Sequence, residues 1–133
     1  MSTPLRVVAA AWLRPPLLLA ARRALDGPQG GAWELPGGKV EVGEADEQAL
    51  ARELHEELGV HVQVGDLVAE HTHAYPERTI HLLAYRVRAP HEPECLEHAE
   101  LRWVDAEQAR ALPWAEADRP LVAAALRLLE APC

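Results

Sequence analysis

"DEQALARELHEELG", residues 46–59, decides how the rest of the chain must be arranged. Leu50, Leu54 and Leu58 recur every four residues and draw an apolar stripe along one helical face. Asp46 and Glu47 sit in the first turn, where the macrodipole favours negative charge, and Gly59 is a natural C-terminal stop. The spacing therefore predicts a helix from about Asp46 to Leu58. Beside the stripe, about a quarter turn away at ~100° per residue, stand Glu53, Glu56 and Glu57. Like charges at such spacings cost roughly 0.2–0.5 kcal/mol per pair on an exposed helix, and Arg52, four residues before Glu56, offsets part of that. A solvated acidic face tolerates the repulsion, and so does a face that binds cations. The flanking sequence must choose between them.

Upstream, "LRVVAAAWL" (5–13) and "LLLAAR" (17–22) are predicted to be buried strands around an "RPP" turn. "ALDGPQGGAWELPGGK" (24–39), rich in Gly and Pro, reads as a loop of special backbone geometry. Downstream, "VHVQVGDLVAEHTHAY" (60–75) and "TIHLLAYRV" (79–87) read as strands joined by a hairpin at "PER". "LRWV" (101–104) is a short last strand and "DAEQARAL" (105–112) a short helix. "RPLVAAALRLLE" (119–130) is an amphipathic helix with Pro120 in its first turn. Strands and helices mixed in this order predict an α/β fold with helices on both sides of a mixed sheet, as one domain over residues 1–133.

Composition narrows the partners. The chain is 49% hydrophobic but lacks Phe, so Leu, Val and Ala must fill the core. A net charge of −8 argues against binding a nucleic acid polymer, whose partners present a basic footprint. It leaves room for a phosphate-bearing small molecule, because a bound cation inverts the local field. Cys95 and Cys133 form no disulfide framework or metal-ligand spacing, which points to a reducing compartment. The apolar N-terminal stretch is interrupted by Arg6, Arg14, Pro15 and Pro16, too broken for a membrane span or a signal core. A cytoplasmic protein that engages no membrane is expected.

Clustered carboxylates without a local surplus of arginine make a hard-oxygen environment suited to Mg²⁺, with Mn²⁺ as a possible substitute. Such ions remove the repulsion within the cluster. A carboxylate beside them can take a proton from an attacking water. Gly37-Gly38, ahead of the helix, lets backbone approach the same place, and Glu44 stands at the junction of loop and helix. Three histidines, His71, His73 and His81, on adjacent strands invite a zinc reading, but no cysteine supports it and the carboxylate site does not need them. Solvent-facing or pocket-lining histidines fit better.

"GGKVEVGEADEQALARELHEELGV" (37–60) resembles the Nudix box: Gly, five residues, Glu, seven residues, then Arg-Glu-apolar-any-Glu-Glu-any-Gly-apolar. Gly38, Glu44, Arg52, Glu53, Leu54, Glu56, Glu57, Gly59 and Val60 fill every specified place. At about one in fifteen per fixed residue, such a match arises by chance in roughly one window in 10⁸. Nudix hydrolases are Mg²⁺-dependent, split nucleoside diphosphates linked to another moiety, and fold as an α/β/α sandwich. The resemblance implies that Glu56 and Glu57 hold metal, joined by the Gly37 carbonyl. It implies that Glu53 binds metal or activates water and that Arg52 orients Glu53 through a charge-assisted hydrogen bond. Glu44 would be structural or outer-sphere.

Outside the box the chain is similar to MutT-like nucleoside triphosphate pyrophosphohydrolases. "AARRALDGPQGGAWELPGGK" (20–39) resembles their arginine pair and lead-in, which would bring Arg23, Gly38 and Lys39 to the substrate. "YPERTIHL" (75–82) resembles a hairpin from which Arg78 would reach the nucleotide; a plain turn residue is the alternative. "LEHAELRWV" (96–104) resembles the segment that brings a further glutamate toward the metals, with Glu97 the first candidate and Glu100 the second. "LPWAEADRPL" (112–121) resembles the stretch that closes over the base. There Asp118 would read the base or cap the last helix. Trp114 would wall the pocket or simply pack, and Trp33 and Trp12 carry the same ambiguity.

The resemblance thus implies a monomeric or homodimeric enzyme that releases a nucleoside monophosphate and pyrophosphate, cleansing the nucleotide pool. An oxidised purine such as 8-oxo-dGTP and a pyrimidine such as CTP, dCTP or 5-methyl-dCTP both remain open as substrates. The rivals are an ADP-ribose or nucleotide-sugar pyrophosphatase, which usually carries an extra N-terminal segment, and a non-catalytic regulatory Nudix domain, which commonly loses box glutamates.

Overall fold

The computed structural model describes residues 3–130, so Cys133 lies outside the described residues. The first strand, β1 (Leu5–Arg14), turns at Pro15-Pro16 into β2 (Leu17–Arg22). Two short strands follow, β3 (Trp33–Glu34) and β4 (Gly37–Lys39), then helix α1 (Asp46–Leu58). The hairpin β5 (Gln63–Ala74) and β6 (Thr79–Arg88), strand β7 (Glu100–Val104), and helices α2 (Ala106–Ala111) and α3 (Arg119–Glu130) complete the order. Sequence alone predicts the longer elements closely. It reads β3 and β4 as loop, because two- and three-residue strands are too short to show alternation and Gly dominates the second.

The sheet runs β3-β2-β1-β6-β5, with β4 added on β1 and β7 on β2. Strands β1 and β6 are parallel and the remaining pairs antiparallel, which makes the sheet mixed. Strand β1 is central, and both of its faces are covered. Val8, Ala10 and Trp12 point into a core with Leu50, Leu54 and Leu58 of α1. Ala9, Ala11 and Leu13 point into a second core with Leu121, Val122 and Ala125 of α3. That two-sided burial is why residues 5–13 read as an unbroken apolar run. All three stripe leucines of α1 are fully buried, each contributing roughly 1.5–3 kcal/mol. Among the described residues no helix is long and apolar enough to cross a membrane.

Two contacts set the position of α1. Asp46 accepts from Arg6 of β1 through both carboxylate oxygens at 2.8 Å and from the Tyr85 hydroxyl of β6 at 2.6 Å. At the other end Gly59 takes the left-handed conformation, φ 66°, and its N–H donates to the His55 carbonyl. The acidic face of α1 is thereby fixed beside the end of β4.

Candidate active site

Arg52 organises the mouth of the site. Its Nε and Nη2 donate to the two oxygens of Glu44 at 2.9 and 3.0 Å, its Nη2 also to the Lys39 carbonyl at 3.1 Å, and its Nη1 to Glu53 Oε1 at 3.0 Å. The guanidinium holds Glu44 down to about 2, helped by the Glu41 N–H. Glu44 thus anchors the arginine. Glu53 is held on one side by Arg52 and on the other by Gly38, where an added Cβ would lie 2.2 Å from the carboxyl carbon. Glu56 is half exposed and lies 3.5 Å from Arg52 Nη1.

One turn further in, Glu57 is buried and its Oε1 has no hydrogen-bond partner among the described residues. Burial pushes its carboxyl up to about 10, reinforced by a hydrogen bond with Glu53 and by the charges of Glu34, Glu53 and Glu97. His98 lies alongside, its side chain only 7% exposed, with Nε2 donating to Glu34 Oε2 at 2.9 Å and standing 3.7 Å from Glu57 Oε1. The other oxygen of Glu34 accepts from Arg23 Nε at 2.7 Å. Arg23, Glu34, Glu57, Glu97 and His98 line a cleft of about 280 Å³.

A second cavity, about 260 Å³, adjoins the first and shares Arg23 and Glu34 with it. Its walls include Leu5, Val7, Ile80 and Leu82, and Gly37, Gly38, Lys39, Tyr75 and Asp118 also face it. Asp118 is buried, and its Oδ2 accepts from the Leu35 N–H at 2.9 Å. Burial raises its carboxyl to about 7, with the charge of Glu34 adding to the rise and the Leu35 N–H and Arg23 opposing it. The Tyr75 hydroxyl accepts from the Ala117 N–H at 3.0 Å, which ties the β5–β6 turn to the 3₁₀ turn Glu116–Asp118.

The fold therefore brings Arg23, Gly37, Gly38, Lys39, Glu57, Glu97 and Asp118 to one pair of cavities. Others fall elsewhere. Arg78 is exposed on the hairpin turn, where its carbonyl accepts from the Tyr75 N–H, and it lines neither cavity. Trp114 packs in the core on the α3 side, with its indole N–H donating to the Ala109 carbonyl at 2.7 Å, away from both cavities. Trp33 lies in the same core and Trp12 in the one beneath α1. Glu100 pairs with Arg102, so Glu97 is the glutamate of that segment that faces the cleft. Asp118 engages the Leu35 N–H through Oδ2, and among the described residues no cap bond from it to α3 is formed. His81 pairs with Glu70 at 2.8 Å and His73 lies 3.3 Å from Glu116. Glu34, Tyr75 and His98 are pocket residues that sequence reasoning did not single out.

Among the described residues no three acidic, imidazole or thiol side chains are already drawn together as a cation cage. The donor set nevertheless fits a hard divalent ion. The unpartnered buried oxygen of Glu57, and a carboxyl raised first by burial and then by its acidic neighbours, are both relieved by such an ion.

A cluster of carboxylates at an acidic cleft, next to a pocket with apolar walls, has the layout of a metal-assisted phosphoanhydride hydrolase. The chain belongs to the Nudix family: the NUDIX domain matches residues 4–125. It is a Nudix hydrolase, of a family that generally uses divalent metals and acts on small nucleotides. It is 43% identical to the CTP pyrophosphohydrolase of Escherichia coli over 125 residues, 93% of either chain. It is 42% identical to a putative 8-oxo-dGTP diphosphatase 2 of Mycobacterium tuberculosis over 127 residues, 92% of this chain and 89% of that one. The solution structure of the E. coli ORF135 protein superposes with a TM-score of 0.82 at 41% identity, covering 95% of this chain and 91% of the other.

Proposed function

We propose that residues 1–133 form one Nudix domain acting as a Mg²⁺-dependent nucleoside triphosphate pyrophosphohydrolase, with Mn²⁺ as an alternative ion. The observation that carries this reading is the sharing of Arg23 and Glu34 by an acidic cleft and an apolar pocket that ends at Asp118. Together the two cavities fall in the ~300–1,000 Å³ range of small-molecule sites. Glu53, Glu56, Glu57, Glu97 and the Gly37 carbonyl would hold the metal. When bound, the ion supplies charge neutralisation on the phosphates and a more acidic water.

The chain's own residues do the rest. Glu53, oriented by Arg52, takes a proton as water attacks the β-phosphorus. A new P–O bond forms there, the bridge to the α-phosphate breaks, and nucleoside monophosphate departs with the bridging oxygen while pyrophosphate remains. Arg23 stands where the acidic and apolar cavities meet, suited to phosphate or ribose, and Lys39 and the Gly38 backbone border the pocket. Asp118, poised near neutrality, accepts from a cytosine amino group when ionised and donates to an oxidised guanine when protonated. The names of the relatives, CTP pyrophosphohydrolase and 8-oxo-dGTP diphosphatase, support both substrate classes. Sanitation of a cytoplasmic nucleotide pool, by a monomer or homodimer that engages neither nucleic acid polymer nor membrane, is the setting that suits this chemistry.

A panel of canonical, oxidised and methylated triphosphates, ADP-ribose and dinucleoside polyphosphates, assayed with Mg²⁺, tests the proposal. Pyrophosphate release is expected, and orthophosphate alone would move the cleavage point. Glu53→Gln should cut turnover by about 10²–10⁴-fold while melting stays near that of the parent; a near-normal rate would remove Glu53 as the base.

A further inference from the structure

The segment that carries Glu97 belongs to neither helix nor strand, yet it is fastened on several sides. The Glu94 and Leu96 N–H groups donate to the Leu58 and Glu57 carbonyls at 2.8 and 3.2 Å, tying the segment to the end of α1. The Ala99 N–H donates to the Arg22 carbonyl at 2.9 Å, tying it to the end of β2. Between these backbone ties one side chain turns inward. The buried imidazole of His98 donates from Nε2 to Glu34, whose second oxygen is already engaged by Arg23. His98 Nδ1 is buried and has no partner among the described residues, so the ring's one polar contact there is through Nε2. A loop that needed only an apolar plug here would not bury a ring nitrogen with nothing to bond.

We infer that His98 is a positioning residue: its bond to Glu34 sets the backbone that presents Glu97 to the acidic cleft. The inference rests on the proposed role of Glu97 as a metal-holding carboxylate. Glu34 is the fixed post, because Arg23 on one side and the β2–β3 pairing of Ala21 with Glu34 on the other hold it in place. Freeing His98 from Glu34 therefore leaves Arg23 anchored and releases the Glu97 side of the cleft.

The test is Mn²⁺ binding to the nucleotide-free full-length chain, followed by water-proton relaxation, alongside kcat and KM. Supporting groups of this kind typically change metal affinity about 10–100-fold when lost. His98→Ala should weaken Mn²⁺ by about that factor and lower kcat similarly, with KM moving by less than about threefold. His98→Gln, whose amide reaches Glu34 as Nε2 does, should recover Mn²⁺ affinity to within about threefold of the parent. His98→Asn, too short to reach, should not. The Gln/Asn contrast decides the matter even if the alanine variant fails to fold. Adding His98→Ala to Glu97→Ala should weaken Mn²⁺ no further than Glu97→Ala alone. Parent-like Mn²⁺ affinity in the alanine or asparagine variant would overturn the inference, as would failure of glutamine to recover it. So would additive losses, or a Glu97→Ala chain that binds Mn²⁺ like the parent. Because no nucleotide enters the binding series, a parent enzyme that releases no pyrophosphate counts against the proposed function and leaves this outcome separately readable.

Discussion

Gly37 and Gly38 are neighbours, yet each lacks a side chain for a different reason. A Cβ on Gly37 would meet the Val8 carbonyl oxygen at 1.9 Å and the Ala9 Cα at 2.8 Å, both backbone atoms of β1. The atoms nearest to a Cβ on Gly38 would all belong to the Glu53 carboxyl group, the far end of one side chain. Gly37→Ala should therefore damage the fold by about 1–3 kcal/mol, read as a lowered urea midpoint. Gly38→Ala should leave that midpoint nearly unchanged and lower kcat about 10²-fold, because it pushes Glu53 away from where Arg52 holds it. Equal stability losses in the two variants would refute the distinction. The acidic residues of α1 and their arginine were legible because helix geometry fixes which residues are neighbours. Glu34 and His98 were not, since 64 residues separate them and neither lies in a periodic pattern that points at the other. The segment around Glu34, "WELPGGK", is the one local signal near it, and its glycines and lysine carry that signal.

Helix α1 is well anchored at its end but incompletely capped at its start. Ala45 has the extended backbone of an N-cap, φ −77° and ψ 156°, and its N–H is met by Gln48 Oε1 at 2.9 Å. The reciprocal half of the capping box is missing, because Ala45 has no side-chain oxygen for the Gln48 N–H. Ala45→Ser should complete it and raise stability by about 1 kcal/mol, measured by urea denaturation, with kcat unaffected. A neutral or negative change would show that the first turn is already satisfied by other means. Periodicity made α1, α3 and the long strands readable, since each repeats its pattern over at least one full turn or several alternations. It was silent on β3, two residues paired with the end of β2, and on β4, whose glycine backbone pairs with β1. Local spacing suggests a cap at Asp118 and cannot reveal that Oδ2 accepts from the N–H of Leu35, 83 residues away.

At the scale of the whole molecule the buried carboxyls should make stability depend on pH. Asp118 is held at about 7 where an unfolded aspartate loses its proton near 3.8, and Glu57 at about 10 where an unfolded glutamate loses it near 4.5. Both values are raised, so between the unfolded and folded values the native state binds the extra proton. The stabilisation is complete below about 4 and is lost as pH rises through the folded value. For Asp118 the window runs from about 4 to about 7, and the loss is on the order of a few kcal/mol. Asp118→Asn keeps a carbonyl to accept from the Leu35 N–H but cannot ionise. In metal-free buffer its urea midpoint should equal or fall below the parent's at pH 4 and exceed it at pH 8. Parallel curves would mean that Asp118 does not hold its proton in the native protein. The decline that remains above pH 7 in the Asn variant belongs to Glu57, and metal should act there. An ion that needs the ionised carboxylate binds more tightly as pH rises. Excess Mg²⁺ at about 100 times its dissociation constant adds about 2.7 kcal/mol. Mg²⁺ should accordingly lift the midpoint more at pH 8 than at pH 5, in the parent and in Asp118→Asn alike. An equal lift at both values would separate the metal from the buried glutamate.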